Sequence, residues 1–191
     1  VIATDLDRAL RAWAAAAALP ADAVRHALTE HDAYRQLERG QIAMADYHRR
    51  VSAEVGADVP YEAFLAGWND LIRDVIPGMD DLLRGLSGRA RLAALSNTNV
   101  AHVALLRARH ATVLELFDRV VFSCEVGARK PEPAAFLAAA NALGAPPDAC
   151  VMIDDRPGNV AAAEELGMRG VVFHSAAQAA EALAAMGVPG P

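Results

Sequence analysis

Residues Val151-Met-Ile-Asp-Asp-Arg-Pro-Gly-Asn-Val160 decide how this chain is read. Three apolar residues end abruptly in two adjacent carboxylates, Asp154 and Asp155, and a small loop then leads into an Ala-rich helix. The pattern predicts a buried strand that delivers two negative charges to its C-terminal tip, where open α/β sheets bind their ligands. Two like charges side by side repel, and they are costly to desolvate unless something positive sits there. The simplest positive partner is a hard divalent cation bound through oxygen, typically Mg²⁺. The plainer alternative is an Asp that caps the next helix beside a surface Asp.

Outward from this stretch, everything after Pro77 alternates between helix and strand. Helices are predicted over 79–86, 100–110, 133–143, 160–166 and 176–186, and strands over 91–95, 120–122, 151–153 and 170–173. Strands separated by helices imply parallel βαβ units, hence an α/β fold with a Rossmann-like, doubly wound parallel sheet. The first part of the chain has another rhythm. Leu6, Leu10, Trp13 and Ala17 recur at helical spacing, with Pro20 after them as a stop. Ala23 and Leu28, then Tyr34 and Leu37, continue two short helices, and Gly40 breaks the pattern. Ile42, Tyr47 and Val51 mark a helix that ends near Gly56, and Pro60 opens another through Phe64, Trp68 and Ile72. The expected organisation is an α-helical bundle over 5–75, without a strand, set into an α/β core of 1–4 and 76–191. No internal repeat recurs at a fixed period, and the closing Val188-Pro-Gly-Pro191 reads as a frayed tail.

Two more strand ends carry polar residues. In Leu95-Ser96-Asn97-Thr98-Asn99, a hydroxyl and amides lie between a strand and a helix N-terminus, a place that holds anions. An ordinary turn and helix cap would look the same. In Gly127-Ala-Arg-Lys-Pro-Glu-Pro133, Lys130 is pinned between a glycine turn and two prolines. It is placed to neutralise a phosphate or a developing charge as a point cation, and a solvated surface lysine is the alternative. Taken together, Ser96, Lys130 and Asp154/Asp155 follow three successive strands of one sheet. Anion holder, cation and metal ligands then converge on one sheet edge, a set suited to phosphoryl transfer.

Bulk properties bound the function. The 191 residues suit one domain, or one domain carrying a sizeable insert. A hydrophobic content of 54% provides a core, and a net charge of −6 without a Lys/Arg tract argues against nucleic acid as a partner. Cys124 and Cys150 both lie beside predicted strands and read as buried reduced thiols. The Ala run at 14–18 lacks a basic leader, so it does not read as a signal peptide, and no segment is apolar for long enough to span a bilayer. The expectation is a soluble cytoplasmic protein with no membrane partner.

The ordered trio resembles the haloacid dehalogenase-like (HAD) superfamily of hydrolases, over essentially the whole chain. Leu95-Ser-Asn-Thr-Asn99 is similar to the second family motif, whose Ser binds the transferred phosphoryl group. Lys130 in its Gly-Pro frame is similar to the third, which steadies nucleophile and phosphate. Asp154-Asp155 is similar to the fourth, which holds Mg²⁺. The helical half resembles the α-helical cap of the subfamily that contains small sugar-phosphate phosphatases. Glu38-Arg-Gly-Gln-Ile42 and Asp5-Leu-Asp-Arg-Ala-Leu-Arg-Ala-Trp13 resemble the cap of a bacterial glucose-1-phosphate phosphatase and of the phosphatase domain attached to epoxide hydrolases.

The resemblance implies a Mg²⁺-dependent phosphatase acting on a small phosphorylated metabolite through an aspartyl phosphate. Ser96 and the backbone of Asn97 would hold the phosphoryl oxygens, Lys130 would offset their charge, and Asp155 with Asp154 would hold the metal. The family's first motif, an apolar strand ending in Asp-x-Asp, is the point of departure. Thr4-Asp5-Leu6-Asp7-Arg8 is superficially similar, but only four residues precede Asp5, and Arg8 and Ala9 replace the usual Gly and Thr. Leu6, Leu10 and Trp13 place Asp7 inside a helix capped by Thr4 or Asp5. The expectation is that the nucleophile strand lies upstream of Val1, with Asp5 as nucleophile the literal alternative. A sheet without its central strand exposes edges that invite pairing, as in a homodimer. Two other functions stay open: a 2-haloacid dehalogenase-type hydrolase, against which the paired charge argues, and a non-catalytic scaffold. Trp13, Trp68, Tyr34 and Phe64 read as core. His31, Arg35 and Arg39 are candidates for the rest of a phosphate ester, or parts of a solvated face.

Overall fold

The computed structural model describes residues 1–17, 25, 28 and 32–188. Pro20, Ala23, His31 and the last three residues of the C-terminal tail lie outside them.

β1 (Ile2–Thr4) leads into helix α1 (Leu6–Ala17), and α2 (Asp32–Glu38), α3 (Met44–Val55) and α4 (Tyr61–Asn69) follow. Asp5 caps α1: its Oδ1 accepts the backbone N–H of Arg8 at 3.0 Å. Asp7 is therefore in the first turn of a helix, as the Leu6/Leu10/Trp13 spacing predicts. The apolar stripes of these helices meet in one cluster of Leu10, Trp13, Leu37, Tyr47, Phe64 and Trp68. Trp13 stacks on Phe64 and Trp68, with ring centroids 5.1 and 5.4 Å apart. Its indole N–H donates to the carbonyl of Phe64 at 2.9 Å, so a buried donor is satisfied. A Cβ at Gly67 would lie 2.5 Å from that indole nitrogen, so the close approach of α1 and α4 requires glycine. The aromatics are core, as expected.

One expectation fails here. Ile72 is not the end of a helix: α4 stops at Asn69, and Ile72–Val75 forms strand β2. It pairs antiparallel with β1, Ile2 opposite Val75 and Thr4 opposite Ile72. Ile72 continues the fourfold spacing of Phe64 and Trp68, which is why it reads as helix. The backbone partners offered by β1, and two β-branched residues on a half-buried surface, favour the strand. The chain thus enters and leaves its helical half through a two-stranded ribbon.

The remainder alternates as predicted: α5 (Met79–Leu86), β3 (Ala93–Ser96), α6 (Val100–Arg109), α7 (Ala111–Leu114), β4 (Arg119–Phe122), α8 (Ser123–Val126), α9 (Pro133–Leu143), β5 (Val151–Asp154), α10 (Pro157–Glu164), β6 (Arg169–Val172) and α11 (Ala176–Ala185). The short helices α7 and α8 are additions to the predicted set. β3 pairs with β4 and β5 with β6, both in parallel. Among the described residues, β3 and β5 are not hydrogen-bonded to each other. The two ladders still share a layer: Phe136, Ala140, Ala163 and Met168 pack against Leu95 of β3 and Met152 of β5. Val151 and Ile153, on the opposite face of β5, pack instead with Leu83 and Leu183 from α5 and α11. Helices on both faces of parallel strands are the doubly wound arrangement. Cys124 and Cys150 are free thiols, half-buried, and burial pushes both up. No helix among the described residues is long and apolar enough to cross a membrane.

Candidate active site

Ser96 and Asp154 are the last residues of β3 and β5, so parallel strand direction brings both to the same side of the fold. Lys130 joins them. Its Nζ lies 2.7 Å from Asp154 Oδ2 and 2.7 Å from the carbonyl oxygen of Leu95, the residue before Ser96. The backbone of Lys130 is held equally firmly. Its N–H donates to Asn97 Oδ1 at 2.7 Å, and its carbonyl accepts from Asn97 Nδ2 at 2.8 Å. All three sequence-predicted segments therefore form one hydrogen-bonded unit. Lys130 is also the only lysine in the chain, against 17 arginines. A slender point cation reaches two acceptors in this narrow place, where a planar guanidinium would impose its own fork geometry.

Asp154 is only 7% exposed. Burial pushes its carboxyl up, but the Lys130 ammonium, the Arg156 N–H at 2.9 Å and the Asn159 amide at 2.9 Å outweigh it and hold it below the usual carboxylate range. The plainer reading makes an Asp the cap of the next helix, but the N-cap of α10 is Arg156, and Asp154 Oδ1 accepts the Arg156 N–H in the turn ahead of it. That contact coexists with the lysine pair. Asp155 is exposed and makes no hydrogen bond or ion pair among the described residues.

The donor set bears on the metal expectation. Asp154 Oδ1 already accepts two protein donors and Oδ2 one, so its capacity is largely taken. Asp155 offers an uncommitted carboxylate beside it. Among the described residues, no group of three or more His, Cys, Asp and Glu side chains is placed to hold a metal. The pair fits a cation that takes one or two carboxylates and draws its other ligands from phosphate and water, which is the habit of Mg²⁺. In that arrangement Asp155 would be the ligand, while Asp154 mainly ties the site to Lys130.

The 96–99 loop divides its duties. Asn97 spends its side chain on Lys130. Asn99 caps α6 by accepting the His102 N–H at 3.2 Å, as the turn-and-cap alternative expects. Thr98 is locked by Ser123, which is fully buried: Ser123 Oγ accepts the Thr98 N–H at 2.8 Å and donates to the Thr98 carbonyl at 3.1 Å. Ser96 is left at the strand tip, half-buried. Behind the loop, His102 Nε2 lies 2.9 Å from the Trp68 carbonyl, and the imidazole stacks on the Trp68 ring at 5.5 Å. Burial pushes His102 down, and the hydrogen bond to Trp68 only partly restores it. A neutral ring that donates from Nε2 and accepts from Asn99 at Nδ1 meets every contact. Ser123, Asn159 and His102 escape sequence reasoning, because each acts on a segment distant in the chain and none sits in a recognisable spacing. Arg39 is not open to a ligand, being ion-paired with Glu132, whereas Arg35 is exposed.

A sequence model of the haloacid dehalogenase-like hydrolases matches residues 2–167. The chain belongs to this family. Proteins similar to it include a flavin mononucleotide hydrolase of Arabidopsis thaliana, 44% identical over 66 residues, or 35% of this chain and 27% of that protein. A phosphatase of Mycobacterium tuberculosis is 30% identical over 145 residues, covering 75% of this chain and 59% of the relative. The matches span 18% to 59% of the curated relatives' own lengths. Among solved structures, a HAD family enzyme of Bacteroides thetaiotaomicron in complex with magnesium and inorganic phosphate superposes with a TM-score of 0.78 at 25% identity, covering 92% of this chain and 89% of that one.

Proposed function

We propose that this HAD-like hydrolase is a Mg²⁺-dependent phosphatase that hydrolyses a small phosphate monoester. The observation that carries the reading is the single unit formed by Asn97, Lys130 and Asp154, which joins a cation to a carboxylate and ties both to the strand end that carries Ser96. Ser96 and the Asn97 backbone hold the phosphoryl oxygens. Lys130 offsets charge as it develops on them, in a place where fixed charges need little reorganisation. Asp155, and Asp154 through the acceptor capacity it has left, would hold Mg²⁺, which when bound would neutralise phosphate charge and orient the phosphoryl group. Relatives named as phosphatases and a similar enzyme holding magnesium and phosphate support the same class.

The nucleophile in this proposal is a carboxylate other than that of Asp5, whose Oδ1 is committed to capping α1. That carboxylate attacks phosphorus as the P–O bond to the alcohol breaks, the departing oxygen takes a proton from water, and a second water cleaves the aspartyl phosphate to give inorganic phosphate and the free carboxylate. Residues 5–71 act as the cap that closes over the substrate and excludes water, with the β1–β2 ribbon and residues 76–191 as the core.

The test is release of inorganic phosphate from a panel of small phosphate monoesters by the full-length protein. Turnover of one or more members, lost in Ser96→Ala and Lys130→Met, supports the reading. No turnover of any member contradicts it and favours a non-catalytic scaffold.

A further inference from the structure

The turn that carries Lys130 is gripped from two sides. Asn97 holds its middle. Its two ends, Arg129 and Glu132, are held by the last turn of α2 and the residue beyond it, 91 and 93 positions earlier in the chain. Glu38 Oε2 accepts from Arg129 Nε at 2.5 Å, with side chains only 4% and 14% exposed. Next to it, Arg39 Nε donates to Glu132 Oε1 at 3.0 Å and its guanidinium makes a second contact to the same oxygen. The charges are crossed, acid–base on α2 against base–acid on the turn. Arg129 and Glu132 also close the turn on themselves: the Glu132 N–H donates to the Arg129 carbonyl at 2.7 Å, and the Arg129 N–H donates to Glu132 Oε2 at 3.3 Å. Gly40 completes the seat. It has φ +67°, and a Cβ there would lie 2.3 Å from the carbonyl oxygen of Cys124, just ahead of the turn.

We propose that Glu38 and Arg39 are positioning residues for Lys130, so that the site's cation is in place only while the end of α2 is seated on the 129–132 turn. The idea rests on the phosphatase reading for its consequence, but not for its geometry. Ion pairs elsewhere on the surface could hold α2 to the rest of the fold. These two clasp the residues one before and two after Lys130, so a shift of α2 is transmitted to the ammonium. Glu38 is also an expensive choice for a mere fastener. Burial pushes its carboxyl up, and Arg129 and Tyr34 only partly pull it back, so the charge is kept at a cost to stability. Unseating α2 loosens the Lys130 contacts to Asp154 and Leu95, and reseating restores them. Opening for substrate exchange and assembly of the charged site are thereby linked.

Since Lys130 is the only lysine in residues 1–191, selective ¹⁵N-lysine labelling of this chain yields one side-chain ammonium signal. In the wild type that ammonium, 11% exposed and hydrogen-bonded twice, is expected to exchange slowly with water. Glu38→Gln and Arg39→Gln are expected to raise its exchange rate several-fold. In the full-length protein they are expected to lower kcat on p-nitrophenyl phosphate by roughly 10- to 100-fold, with KM within about twofold, as for a displaced catalytic group. Arg107→Gln, which breaks the exposed Arg107–Glu125 pair, leaves both readouts unchanged. Ammonium exchange and kcat at wild-type values in a folded Glu38→Gln or Arg39→Gln protein would overturn the proposal. Should Glu38→Gln not fold, Arg39→Gln, nearer the surface, carries the same test. The exchange measurement needs no turnover, so a failure of the phosphatase reading and a failure of this one are separable.

Discussion

Lys130 Nζ, from the turn between α8 and α9, and Asp154 Oδ2, at the tip of β5, lie 2.7 Å apart with only 11% and 5% of their side chains exposed. A pair this buried is costly to break from one side. Lys130→Met leaves the Asp154 carboxylate without its cation, and the expected loss of stability is about 3–5 kcal/mol. Adding Asp154→Leu recovers part of it, because the stranded charge is then gone, so the two changes are non-additive. Urea denaturation of the single and double variants is the measurement. Additive losses would contradict a direct pair.

The same carboxyl makes a pH prediction. Asp154 is held below its ordinary value of 3.8 in the fold, mainly by Lys130 acting against burial. A group depressed on folding contributes stability that is fully present above the unfolded value and is lost as pH falls through the folded one. The wild type should therefore exceed Asp154→Asn in stability near pH 6, with the gap closing below about pH 4. Parallel acid titrations followed by circular dichroism check this. A gap that persists to pH 2 would point to packing rather than charge.

Ser123→Ala should act at a distance on the Ser96 loop. The hydroxyl is fully buried and satisfies both the N–H and the carbonyl of Thr98. Its removal orphans buried backbone groups, at a cost of about 1–3 kcal/mol. The loop it steadies carries Ser96 and Asn97, so phosphate affinity should weaken as well. Isothermal titration with inorganic phosphate and a thermal melt measure the two effects separately.

Gly40→Ala probes the seat of α2. The substitution forces an L-residue to φ +67° and drives its Cβ into the Cys124 carbonyl. The backbone term alone is of order 1–3 kcal/mol. Destabilisation together with faster exchange of the Lys130 ammonium is expected. Gly56→Ala shares the positive φ but has no neighbour within 4 Å of an added Cβ, and it should leave Lys130 unaffected.

Much of this is legible in the residues, for identifiable reasons. Short apolar runs that stop at Ser96 and Asp154 announce strand tips, and parallel topology then carries those tips to one side. Pro133 and Gly144 bound α9 as predicted, since one suits the first helical turn and the other the left-handed stop. β2 is misread because Ile72 falls in phase with Phe64 and Trp68, and neither Gly nor Pro marks the turn at Asp70-Leu71. Glu38 stands out in the sequence only as part of a familiar segment. Its partner Arg129 lies 91 residues away, and no local pattern encodes that meeting. The contacts of Ser123 and His102 are hidden for the same reason, being made across the fold rather than along the chain.

The most direct test of the central claim is hydrolysis of p-nitrophenyl phosphate by the full-length protein, with Mg²⁺ and after its removal by EDTA. The account predicts turnover that is lost with EDTA, restored by added Mg²⁺, and abolished by Asp155→Asn. Turnover that survives EDTA and Asp155→Asn, or no turnover with Mg²⁺ present, would contradict it.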